Sequence, residues 1–304
     1  MPRSRSAAYA GAYLIAWSAS AAVLARLPGG SILEPLLILA ALGIVFPALA
    51  LVTTRGRSTA ADAIARPGVD LATTLLYLAV FSVVLLGPGL SYLQARIPPG
   101  RSRELVTLAV KLLTMCAVPA LLFRLLGSRA VPTGALRLGR ADVLPGVVLG
   151  AAFLAFQAVF GSGLKQLSEL HPSAATLVWA IPIAFSWLIL EAGLTEEVLF
   201  RAVLQTRLAA FLRNEPGAIF VTAALFGLAH APGLYLRGGS LAEGLTGPPT
   251  PALVVAYSIA VISPAGFVFG VLWWRTRSLT LLVLLHAWAD LLPNLAGFIR
   301  TWSG

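Results

Sequence analysis

Apolar runs of about 20 residues recur along the whole chain, separated by short polar or Gly/Pro-rich breaks. They fall near residues 7–25, 34–53, 70–92, 105–126, 143–163, 174–194, 216–231, 251–274 and 279–298. At about 1.5 Å per residue, a helix of that length crosses the ~30 Å hydrocarbon core of a bilayer. The short alternating segments of a membrane β-barrel are absent from this pattern. The expected fold is all-α: a polytopic membrane helix bundle of about eight or nine transmembrane helices. The run 216–231 is short, so it is expected to be tilted, re-entrant or extended by its neighbours. The run 7–25 follows a short basic head, Met1-Pro2-Arg3-Ser4-Arg5-Ser6. It exceeds the roughly 7–15 apolar residues of a signal peptide and is expected to be a retained first span.

Two further stretches have their own patterns. Residues 232–250 are rich in Gly and Pro and are expected to form an irregular loop. Residues 198–213 alternate apolar residues with Arg201, Arg207 and Arg213, which predicts a helix lying at the cytoplasmic interface.

Composition sharpens the class. Of 304 residues, 58% are hydrophobic and 11% charged, against about 25% charged in a soluble domain. The formal net charge of +10 is mostly arginine. In a membrane protein this points to lipid headgroups and topology, with no nucleic-acid partner expected. With the N-terminus in the cytoplasm and alternating spans, 13 of the 22 basic residues fall in inside segments and 7 outside, as the positive-inside rule requires. The Ala-, Leu- and Arg-rich composition suggests a bacterial cytoplasmic membrane. One cysteine, Cys116, lies in an apolar run; it forms no intrachain disulfide and reads as a small apolar residue. The sequence carries no signal for oligomeric state.

Most of the ionisable residues of the later spans are Glu196, Glu197, Arg201, His230, His286 and Asp290. A charge within a span costs several kcal/mol, about 2.5–3.5 or more, so such groups face one another or a wet cavity. Glu197 and Arg201 are four apart on a helix and can pair. Glu196 points about 100° away from Glu197 and lacks that partner. His286 and Asp290 are also four apart and share a face. His171, in the polar stretch Glu169-Leu170-His171-Pro172-Ser173, reads as solvated. All the candidate chemistry lies beyond residue 142. The chain therefore divides into N-terminal transmembrane helices of unassigned role, 1–142, and a catalytic membrane core, 143–304.

Several hydrolytic patterns are missing. A zinc-protease His-Glu-x-x-His helix is excluded because Ala231-Pro232 follows His230. Gly161-Ser162-Gly163 has no histidine near it in sequence, and Asp290 has no second aspartate within a span. What remains is a glutamate, two histidines and a further carboxylate.

Glu-Glu-x-x-x-Arg at 196–201, Phe-x-x-x-His at 226–230 and His-x-x-x-Asp at 286–290 resemble, in that order, the three motifs of the CPBP family. This is the family of the CAAX-processing endopeptidase, also called Abi, and the resemblance covers about residues 143–300. It implies an intramembrane endopeptidase that hydrolyses a peptide bond without a covalent intermediate. By that resemblance Glu196 is the general base that activates water, His230 helps hold the water, and His286 and Asp290 face the developing oxyanion. Glu197, Arg201 and Phe226 would support the site. The physics agrees: a carboxylate in a low-dielectric site is a better base, and donors aimed at an oxyanion are worth several kcal/mol there. The eukaryotic enzyme has asparagine where this chain has Asp290. Either Asp290 is protonated, or it orients His286 as a carboxylate partner; the second is the expectation. No cofactor is expected. A second mechanism is open, in which Glu196, His230, His286 and Asp290 ligate a divalent metal such as zinc.

The expected partners are the lipid bilayer and a membrane-anchored or lipidated protein or peptide substrate. Two other functions compete: a non-catalytic scaffold or immunity protein of the same fold, and a transporter. No repeat supports transport.

Overall fold

A computed structural model describes residues 2–57, 64–237 and 249–303. All regular structure among the described residues is helical. In lipid a spanning backbone has no water to bond, so each segment satisfies its own N–H and C=O groups as a helix. The helices are α1 (Pro2–Ala25), α2 (Leu33–Thr53), α3 (Pro67–Arg96), α4 (Arg101–Leu125), α5 (Arg140–Phe160), short α6 (Gly163–Leu170), α7 (Ala174–Leu212), α8 (Glu215–Arg237), α9 (Pro251–Ile262), α10 (Ala265–Thr276) and α11 (Leu279–Trp302). Among the described residues eight are long and apolar enough to cross a membrane, and α9 with α10, bent by 47°, is a ninth candidate, as a broken span or a re-entrant loop. The expected count of eight or nine stands.

Burial separates centre from periphery. Within their apolar windows α8 and α11 are 50% and 61% buried, whereas the other single-helix spans reach at most 33%. α8 and α11 therefore form the middle of the bundle, and the outer helices turn residues such as Ile15, Leu76 and Val178 outward. α1 is packed into this core. Its Tyr13 hydroxyl lies 2.7 Å from Ser263 Oγ, and Trp17 Nε1 donates to Ala260 O at 3.1 Å. The apolar core is thus continuous across residue 142.

Contacts between loops follow the alternation of nine spans. At one end of the bundle Ser6 donates to Asn214 Oδ1, Arg57 pairs with Asp142 at 2.7 Å, Arg275 Nη2 donates to Thr54 O, and Arg277 pairs with Glu215 at 2.5 Å. At the other end Arg101 Nη2 donates to Trp302 O at 2.8 Å.

Two expectations need correction. Residues 198–213 do not form an interfacial helix. Residues 198–212 continue α7, and Arg201, Gln205 and Arg207 are buried. Arg207 lies over the Phe123 ring at 3.6 Å and donates to Arg129 O at 2.8 Å. A basic residue inside a bundle looks like a headgroup anchor until its interior partners are known. Residues 232–237 are not loop: α8 continues through Pro232. Residues 249–250 are irregular as expected, and 238–248 lie outside the described residues.

Candidate active site

The two adjacent glutamates sit on a three-residue α-turn, Thr195–Glu197, between π-helical stretches Ile189–Leu194 and Val198–Gln205 of α7. Such i→i+5 turns are rare and concentrate at functional sites. They change the phase of the helix on both sides of the glutamates. Thr195 Oγ1 donates to Glu191 O at 2.7 Å and ties the first turn. Gly193 brings α7 against α11, because a Cβ at that position would stand 2.6 Å from Val283 O. The missing side chain is what lets Glu196 and Glu197 reach His286.

Glu197 is fully buried and fully engaged. Its Oε2 accepts from Arg201 Nε at 3.0 Å, and its Oε1 accepts from His286 Nδ1 at 2.8 Å. That bond fixes the ring and leaves Nε2 for the open side of the site. There Nε2 stands 3.6 Å from both Glu196 Oε2 and Asp290 Oδ2, beyond direct hydrogen-bond reach. The side chain of Glu196 is 14% exposed and that of Asp290 36%. The structure therefore brings Glu196, Glu197, Arg201, His286 and Asp290 together. The carboxylate that hydrogen-bonds His286 is Glu197 from α7, while Asp290, one turn along α11, stands within ion-pair distance of the other ring nitrogen.

Aromatic rings hold the frame. The Arg201 guanidinium lies 5.2 Å from the Phe226 centroid and 5.9 Å from that of Phe269. Its two terminal nitrogens have no hydrogen-bond partner, so the ring faces act as its second electrostatic neighbour. Phe269 stacks on His286 at 4.9 Å, and Phe226 meets His230 edge-on at 5.1 Å. Phe226 thus touches both the Arg201 guanidinium and the His230 ring. His230 Nδ1 donates to Phe226 O at 2.8 Å; a carbonyl only accepts, so Nε2 is the free acceptor of the neutral ring. His230 makes no hydrogen bond or ion pair with Glu196. His171 is exposed, as expected.

Three residues near this frame were not singled out by the sequence. Phe269 looks like any core aromatic. Glu191 and Lys111, an ion pair at 2.6 Å, were visible as charges in apolar runs, but nothing in the sequence links a lysine in α4 to a glutamate 80 positions later.

Among the described residues no group of three His, Cys, Asp and Glu could hold a metal ion, since the polar contact of His230 is to its own helix and His286 Nδ1 is bound to Glu197. Between α5 and α11 runs an apolar cavity of about 410 Å³ whose wall includes Gly150, Leu154, Phe185, Leu285 and Trp288 and none of the site's ionisable residues. The site thus offers one lightly bound carboxylate and a fixed imidazole.

Residues 175–292 match the family described as type II CAAX prenyl endopeptidase Rce1-like. The match runs from the start of α7 into α11 and contains every site residue named in the sequence analysis. No curated protein and no solved structure matches the chain.

Proposed function

We propose, from the premise that residues 175–292 belong to the CAAX-protease family of membrane endopeptidases, that Glu196 activates a water which cleaves a peptide bond in a membrane-anchored protein. One observation carries this reading: of the two adjacent glutamates, Glu197 is locked by Arg201 and His286, while Glu196 has no direct hydrogen bond and faces the open side. A general base needs a free lone pair within reach of water.

In this mechanism Glu196 takes a proton from water as its oxygen attacks the scissile carbonyl. His230 Nε2, an acceptor, holds the water's second hydrogen once substrate has closed the site. His286, held by Glu197 as an imidazolium with both ring nitrogens protonated, presents Nε2–H to the tetrahedral oxyanion, where a preorganised donor is worth about 2.7–4 kcal/mol. The proton on Glu196 then passes to the leaving amine, so no covalent intermediate forms. Asp290 lies on the open side and bounds the oxyanion end. No step needs a metal.

The test is substrate trapping. Membrane proteins that accumulate uncut in cells carrying Glu196→Ala are purified and given to the wild-type enzyme in a strong chelator. Specific cleavage is expected to persist. Loss of cleavage in chelator with recovery on added zinc would overturn the metal-free mechanism, and no accumulating protein would remove the protease reading.

The orientation follows from charge. The end that gathers Arg57, Arg129, Arg137, Arg140, Arg275 and Arg277 is assigned to the cytoplasm. A cysteine placed at Arg55 or Arg137 is then expected to react with an impermeant thiol reagent only from the cytoplasmic side, and one at Glu169 only from the opposite side. The reverse labelling would invert the topology.

A further inference from the structure

The groove between α5 and α11 stands apart from the catalytic frame. On α5 its wall runs from Asp142 at the loop end, past Gly146 and Gly150, to Leu154. On α11 it includes Leu285 and Trp288. Two residues along a helix is a rotation of about 200°, so Trp288 points away from the face on which His286 meets Glu197. His286 is accordingly buried, whereas Trp288 is 36% exposed. Trp288 Nε1 donates to Gly150 O at 2.9 Å. That bond fixes the indole in the wall and uses the only hydrogen-bond donor of its side chain. The close seat of the ring depends on the glycine, because a Cβ at position 150 would already stand 3.7 Å from it.

Exposure, length and charge together select the occupant. Val143, Val147 and Leu154 of the wall are 60%, 65% and 47% exposed, so the groove opens outward to the bilayer. From Asp142 to Leu154 it is about 18 Å long at 1.5 Å per residue, close to the depth of one leaflet, half of the ~30 Å hydrocarbon core. One end alone is charged. There Asp142 is held by Arg57 Nη1 at 2.7 Å and by the Gly139 N–H at 2.8 Å. Arg57 also donates from Nη1 to Ala141 O. Its side chain is 23% exposed, and Nε and Nη2 make no hydrogen bond among the described residues. Arg137 and Arg140, on the strand of chain that leads into α5, are exposed and make no ion pair among the described residues. Three guanidinium groups thus stand against one carboxylate at the head of an apolar groove one leaflet deep. A basic pocket between spans, at the end of the bundle that meets anionic lipid, is the arrangement that recognises a phospholipid headgroup.

We propose that this groove seats one acyl chain of an anionic phospholipid, drawn from the leaflet at the Arg57 end, with its phosphate on Arg57, Arg137 and Arg140. The lipid is a resident ligand and not the substrate, since the groove lies on the face of α11 turned away from Glu197. The site holds whichever glutamate acts as the base.

The test uses the full-length protein in mild detergent and a phosphatidylglycerol that carries a diazirine near the end of one acyl chain. After photolysis, crosslinks are expected to concentrate in residues 147–154 and at Phe185 and Trp288, the deep part of the groove. Unmodified phosphatidylglycerol should protect these positions at a concentration at least about tenfold lower than phosphatidylcholine does, because each arginine at the membrane surface adds to the attraction for an anionic lipid. Arg137→Gln with Arg140→Gln should keep the crosslinks and lower that preference several-fold. Ala151→Trp, which adds a ring from an exposed position of the wall, should abolish them. Crosslinks spread evenly over the outer spans, equal protection by the two lipids, an unchanged preference in the double arginine variant, or persistent crosslinks in a folded Ala151→Trp protein would each overturn the proposal. Protection by soluble glycerol phosphate as effective as that by the intact lipid would also overturn it, leaving an anion site only. The wild-type crosslink map and the lipid competition decide the matter even where Ala151→Trp does not fold.

Discussion

Glu196→Gln is expected to lower the rate of proteolysis by a factor of about 10²–10⁴ and to leave the fold intact. Glutamine keeps the size and polarity of the side chain and removes its basicity. The structural cost is small because Glu196 has no direct hydrogen bond; its nearest ionisable partner, His286 Nε2, is 3.6 Å away. The measurement is kcat on a trapped substrate together with a thermal scan of the purified variant. The outcome that sinks the assignment is specific: full proteolysis by Glu196→Gln alongside complete loss in a well-folded Glu197→Gln protein would mean the two glutamates have exchanged roles.

The second large effect is on stability. Glu197→Gln removes a fully buried negative charge that accepts from both Arg201 and His286. Breaking one side of a buried pair costs about 3–5 kcal/mol, because the remaining charge is stranded away from water. Here the stranded group is Arg201, whose terminal nitrogens already lack hydrogen-bond partners. The double variant Glu197→Gln/Arg201→Gln should therefore recover part of the lost thermal stability. It should not recover activity, since a neutral glutamine no longer supports His286 as the carboxylate does. A Glu197→Gln protein as stable as the wild type would show that Arg201 is balanced by something other than Glu197. The pairing of Glu197 with Arg201 alone predicts a purely structural residue; its bond to His286 makes it a residue that also positions the chemistry.

Much of this site was legible before any coordinates. Glu197 and Arg201 were assigned to each other from an i,i+4 spacing, and they pair at 3.0 Å. His286 and Asp290 were placed on one face for the same reason and stand 3.6 Å apart. The separation of a locked glutamate from a lightly bound one followed from the 100° step between neighbours on a helix. Where the reading failed, a partner lay on another helix. His286 donates its hydrogen bond to Glu197 of α7, 89 positions away in the chain, and Arg207 finds Phe123 and Arg129 instead of headgroups.

The sequence by itself determined that the chain is a bundle of eight or nine apolar helices, and that the charged residues of its later spans need partners. Those conclusions rest on local physics: the length of apolar runs against bilayer thickness, and the cost of an ionised group in hydrocarbon. Only the tertiary structure decided which charge meets which. Lys111 reaches Glu191 because α4 packs on the Thr195–Glu197 turn of α7, and Glu197 reaches His286 because Gly193 lets two backbones close to contact distance. The phase of the π-helical stretches sets where each side chain points. Packing between helices distant in the chain fixes these distances, and no local spacing encodes them.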